Sequence, residues 1–140
     1  MKTIILIALL TFTLSAQAQG DKDVLKAVIT KFVQAADAQK ASELSSVLHS
    51  DFRIVMNQLF GSTEVALMDR KTYLQLVEEK KLGGDQRTIE FASIEIVNQN
   101  AAIKVILKGK TMVFESLIHA VKTKEGKWLL IDDLPYATKI

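Results

Sequence analysis

Apolar positions set the first elements. From Asp21 to Ala38, Val24, Leu25, Val28, Ile29, Phe32, Val33 and Ala36 recur at helical spacing and make a stripe two residues wide. Asp21 is placed to cap this helix, and Asp23 suits the positive end of its dipole. The segment "AQKASELSSVLHS" predicts a second, shorter helix. Ser42 is its cap, Leu44, Val47 and Leu48 form its apolar side, and it ends near His49. A strand follows in "DFRIVMNQLFG", running into a turn at Gly61. After a mixed stretch, Asp69 to Lys81 reads as a third helix. Asp69 caps it, Tyr73, Leu74 and Val77 face inward, and Gly83-Gly84 stops it.

The pattern then changes from a period near four to a period of two. Arg87 to Val97, Ala101 to Lys108 and Thr111 to Lys122 read as strands, with "NQN" and "KGK" as the turns between them. "KTKEGKWLLIDDLP" is a hairpin turn and a last strand, stopped by Pro135, the only proline. Helices first and a run of strands afterwards is an α+β order. The helices must cover one face of the antiparallel sheet, and the stripe of the first helix supplies the covering surface.

The first 18 residues stand apart. "MKTIILIALLTFTLSAQA" has a positive start at Lys2, an apolar run from Ile4 to Leu14 and a small-x-small ending at Ala16-Gln17-Ala18. That is the layout of a secretory signal peptide, and its apolar run is shorter than the ~20 residues a membrane span needs. Residues 1–18 are therefore expected to be a signal peptide and 19–140 one domain, exported to the periplasm or secreted. Cleavage after Ala18 leaves 122 residues, enough for one proper core. With Lys2 gone, 17 basic residues stand against 16 acidic ones. That balance, with scattered basic residues, argues against a nucleic-acid partner. The chain has no cysteine, so it folds without disulfides, and the expected mature end offers none for a lipid anchor.

Few side chains are candidates for chemistry. Two distant histidines and no cysteine leave no credible metal site, and no phosphate loop or nucleophile motif is present, so no cofactor is expected. His49 and Asp51 sit where the second helix is expected to end. A helix dipole and an Asx-type turn account for them. His119 lies in "MVFESLIHAVK" on one face with Val113, Glu115, Leu117 and Val121. A two-residue Glu125-Gly126 loop pairs Thr123 with Trp128, Val121 with Leu130 and His119 with Asp132. The last pair then shares a face with Trp128, and an imidazole oriented by a carboxylate in an apolar cup suits proton transfer. A three-residue loop with Gly126 in a bulge shifts the pairing by one, so Ile118 faces Asp132 and the pair does not form. In either register the shared face is open to being the outer one. Tyr73 brings a phenol toward a pocket or is a core tyrosine with its hydroxyl at the rim.

The element order, with "LHSDF", "MDRKTYL", "NAAIKVIL" and "KTKEGKWLLI", resembles the nuclear transport factor 2-like superfamily. Within it the chain is similar to the exported SnoaL-like, ketosteroid-isomerase-like and lumazine-binding branches. The resemblance implies a cone: a curved antiparallel sheet wrapped around N-terminal helices, with an apolar pocket at the open end. Members include enzymes, ligand binders and scaffolds, so the fold does not choose between them; the expected role is binding a small apolar or aromatic ligand without chemistry, with Tyr73, Trp128, Leu117 and Val121 as lining. The alternatives are a proton-transfer lyase or isomerase using His119 and Asp132, and a structural or interaction module with a filled cone. Phe114, Ser116, Ile118 and Ala120 make the other face of their strand apolar too. A homodimer through the sheet is expected from that surplus.

Overall fold

The computed structural model describes residues 2–140, with side chains from Ala16 onward. The expected signal peptide lies mostly outside those described side chains. Nine elements follow in order: α1 (Lys2–Asp37), α2 (Ala41–Ser45), β1 (Leu48–Asn57), β2 (Val65–Asp69), α3 (Arg70–Glu78), β3 (Thr88–Val97), β4 (Asn100–Lys108), β5 (Met112–Lys122) and β6 (Trp128–Lys139). The strands form one sheet in the order β2-β1-β6-β5-β4-β3. It wraps the helices as an α+β cone. All neighbours are antiparallel except β1 and β6, which run parallel.

The stripe of α1 is the centre of the core. Leu25, Ile29, Phe32, Val33 and Ala36 are buried against Ile103, Val105, Leu107, Ile118, Ala120, Trp128 and Leu130 from the sheet. Val24, at the edge of the predicted stripe, is exposed. Phe32, Phe52 and Tyr73 meet with ring centroids 6.0–6.4 Å apart, joining α1, β1 and α3. Asp69 caps α3 as the sequence predicts, accepting from the Thr72 backbone N–H at 2.8 Å.

Several boundaries differ from the sequence reading. α2 is one turn long, and β1 already begins at Leu48. His49 and Asp51 therefore lie in a strand, not at a helix end. The parallel partner explains this, because the Leu130 backbone N–H donates to the Val47 carbonyl at 2.9 Å and draws the chain into the sheet. β2 comes from the mixed stretch and pairs with β1 at the edge. α3 ends at Glu78, short of the glycines. Gly83 instead serves packing: its φ is 81°, and a Cβ there would overlap the Ala36 carbonyl oxygen. β6 continues through Pro135, which pairs with Ser116 on β5. The register between β1 and β6 ends at Ile54 with Asp133, so the missing N–H of Pro135 falls on an edge without a partner strand.

Candidate functional site

The last hairpin decides which side chains reach the inside of the cone. Leaving the turn, the pairs are Lys122 with Trp128, Val121 with Leu129 and Ala120 with Leu130. That is the shifted register of the longer loop, with Gly126 at a φ of 83°. Ile131 then bulges, and beyond it His119 pairs with Asp132 and Ile118 with Asp133. The bulge turns the alternation over. Trp128 and Leu130 point inward, and so does Asp133, while Asp132 points out.

His119 Nδ1 and Asp132 Oδ1 are 2.7 Å apart. Their side chains are 47% and 15% exposed, on the outer face of the sheet beside Leu117. The apolar cup expected around this pair is absent, because Ser116, Ile118 and Ala120 hold the inner face of β5. Leu117 is exposed, and Val121 pairs with Leu129 on the outer side. Trp128 is buried, but as core at the far end of the sheet, with its indole N–H donating to Asp21 at 3.0 Å. None of these residues lines the apolar cavity between the helices and the sheet; Tyr73 does.

That cavity has a volume of about 320 Å³ at the open end of the cone. Phe32, Ile54, Met56, Met68, Leu107 and Phe114 supply apolar wall from α1, β1, β2, β4 and β5. Asp133, Ser116, Tyr73, Thr111, Arg87, Asp37 and Asp85 are the polar residues that line it. Arg87 and Asp37 hold each other: Arg87 Nε donates to Asp37 at 2.7 Å and the Arg87 backbone N–H at 2.9 Å. The guanidinium also stacks 5.8 Å from the Phe114 ring centroid.

Asp133 is different. It is buried, at 7% exposure, and its Oδ1 has no hydrogen-bond partner among the described residues. Burial pushes its carboxyl up to about 7, against the pull of Ser116 and Arg87, with Asp132 adding to the rise. Burial, and then the charge of Asp133, raise the Tyr73 phenol as well, so it keeps its proton. Sequence reasoning missed Asp133, although a signal was there. Two adjacent carboxylates in a strand face opposite ways, so one of the pair in "LLIDDLP" must point inward.

The direction of the Asp133 shift fixes a pH dependence. The folded state binds this proton more tightly than the unfolded chain, so stability falls as pH rises from about 4 to about 7. Asp133→Asn keeps the shape without the charge. Its stability should match the parent near pH 4 and exceed it at pH 8 by roughly 2–4 kcal/mol. Urea midpoints at the two pH values check this, and a variant that tracks the parent at both would mean Asp133 is solvated.

No group of three or more histidine, aspartate or glutamate side chains that could hold a metal occurs among the described residues. No described helix is long and apolar enough to cross a membrane.

Comparison with known proteins places this geometry. The model of a family described as putative lumazine-binding matches residues 20–133. No curated protein matches the chain. Among solved structures, a nuclear transport factor 2-like protein of unknown function from Silicibacter pomeroyi DSS-3 superposes with a TM-score of 0.74 at 13% identity, covering 86% of this chain and 98% of its own. A nuclear transport factor 2-like protein of unknown function from Shewanella baltica OS155 gives 0.73 at 12%, covering 85% and 94%. A ketosteroid isomerase-like protein from Erwinia carotovora atroseptica SCRI1043 gives 0.65 at 12%, covering 84% and 95%. At these identities the likeness is one of fold.

Proposed function

This chain belongs to the putative lumazine-binding family, and from that premise we propose that it is an exported protein whose cone binds a small, mostly apolar or aromatic ligand without chemistry. The observation that carries this reading is the cavity. Its volume of about 320 Å³ falls in the range of small-molecule sites. Its wall is mostly apolar, with Asp133 and Ser116 among its polar residues. The proton-transfer alternative draws no support from His119, which opens to solvent.

Mass spectrometry of the purified protein tests the reading directly. A small molecule should travel with the parent. Met68→Trp, which pushes an indole into the cavity from β2, should lose that molecule at a cost of about 1–3 kcal/mol in stability. A parent that carries nothing and binds no apolar probe would point to the interaction-module reading.

Export is supported by the packing of α1. Among the described side chains, Ala16 to Gly20 are exposed and the first core residue is Leu25, so cleavage after Ala18 removes no described core residue. The domain proposed is 19–140. Pairing through the sheet belongs to the same reading, on a different surface from the one the sequence suggested. Phe114, Ser116, Ile118 and Ala120 face the interior, whereas Leu117, Leu134 and Tyr136 are exposed on the outer face. N-terminal sequencing should begin at Gln19, and light scattering should give a dimer that Leu117→Glu dissociates. Met1 on exported protein, or a parent monomer at high micromolar concentration, would count against the respective proposal.

A further inference from the structure

We infer that the cone selects a neutral ligand carrying a hydrogen-bond acceptor, a carbonyl oxygen or ring nitrogen, which seats on Asp133, and that it holds this ligand only while the carboxyl is protonated. The inference rests on the ligand-binding reading and goes beyond it in naming the ligand's polar group and a condition on its retention.

Asp133 Oδ1 is buried and has no partner among the described residues. Asp133 lines a cavity whose other polar side chains include three hydroxyls, those of Tyr73, Ser116 and Thr111. A buried polar atom left without a partner costs free energy, and a ligand that supplies the partner recovers it. Tyr73 holds its proton, because burial and the charge of Asp133 both oppose its loss. With Asp133 protonated, its O–H joins the hydroxyls of Tyr73, Ser116 and Thr111 in a mostly apolar wall, and an acceptor is the group these donors would meet. The carboxyl titrates near neutral pH, so the cavity loses this donor and gains a buried charge over a narrow pH range.

The charged groups around it favour a neutral ligand. From α1, Asp37 faces the cavity but is engaged by Arg87, which enters at the start of β3. Asp85, from the preceding loop, also lines it. From α3 comes Tyr73 and from β5 Ser116; β1, β2 and β4 contribute Ile54, Met56, Met68 and Leu107. On β6 itself, Asp132 points to the outer face. An anionic ligand would meet Asp133 and Asp85. A cationic one would meet the Arg87 guanidinium, and its binding would strengthen as Asp133 ionised.

Three naphthalenes of one body separate these cases by calorimetric titration of the full chain at pH 5.5 and 8.5. 2-Acetylnaphthalene carries the acceptor, 2-ethylnaphthalene carries none, and 2-naphthylmethylamine is a cation. The acetyl compound should bind about tenfold more tightly at pH 5.5 than at pH 8.5, and the ethyl compound equally at both. In Asp133→Asn, which keeps an N–H donor and cannot ionise, the acetyl compound should bind with no pH dependence. Circular dichroism verifies that the variant is folded. Equal acetyl binding at both pH values in the parent would overturn the inference while leaving the ligand-binding reading intact if the ethyl compound binds. Tighter binding of the amine at pH 8.5 than of the acetyl compound at pH 5.5 would overturn it in favour of a cation site. Failure of all three to bind at either pH would remove the ligand-binding reading and the inference together.

Discussion

Asp37→Ala is expected to destabilise the protein by about 3–5 kcal/mol, because it leaves the Arg87 guanidinium largely buried without its counter-charge. The two side chains are 11% and 15% exposed, so solvent screens them little. Asp37 is the last residue of α1, and its carboxylate takes both the side chain and the backbone N–H of Arg87. It thus ties the end of the core helix to the start of β3, across the mouth of the cavity. The double change Asp37→Leu with Arg87→Met should cost less than Asp37→Ala alone, since no charge is then left stranded. Urea denaturation of the parent and the three variants, Arg87→Met included, gives the coupling. A cost under about 1 kcal/mol for Asp37→Ala would place the pair with ordinary surface ion pairs.

Trp128→Ala should be comparably severe, at about 3–5 kcal/mol. The side chain is the largest of the fully buried ones, at the opposite end of the sheet from the cavity. Its indole N–H donates to Asp21, which also accepts from Lys122 Nζ at 2.9 Å. These bonds, Trp128 first, hold the Asp21 carboxyl below its ordinary value. Trp128→Phe keeps most of the buried area and loses the indole bond, so it should cost only about 1–2 kcal/mol. It should also leave ligand retention unchanged, because Trp128 does not line the cavity. Thermal melts and the mass-spectrometric assay separate the two effects. Loss of the ligand in a folded Trp128→Phe protein would return this residue to the binding site.

Much of the fold was legible from periodicity. The α1 stripe has a period near four, and β3, β4 and β5 alternate with a period of two, because helix and strand geometry impose those repeats locally. Asp69 marked its helix start through a capping bond that spans three residues. The elements that were misplaced depend on distant partners. β1 begins at Leu48 because β6, some eighty residues on, offers it a parallel edge. β2 exists because β1 needs an edge partner. β6 passes through Pro135 because its pairing with β1 has already ended at Ile54 and Asp133.

The site divides in the same way. The sequence by itself determined that helices precede a meander and that one stripe of α1 must be covered, and it left the pairing of His119 with Asp132 open between two hairpin registers. Those properties follow from residue spacing along single elements and one hairpin. Only the tertiary structure decided which face of the hairpin is the inside. The covering of Ser116, Ile118 and Ala120 by the helices sends His119 outward. The single extra residue at Ile131 exchanges the roles of two adjacent aspartates. A side-chain period of two makes such a choice all or nothing: one residue of slip moves every later side chain to the other face. Asp132 is thereby left on the surface with His119, and Asp133 becomes the buried carboxyl of the cone.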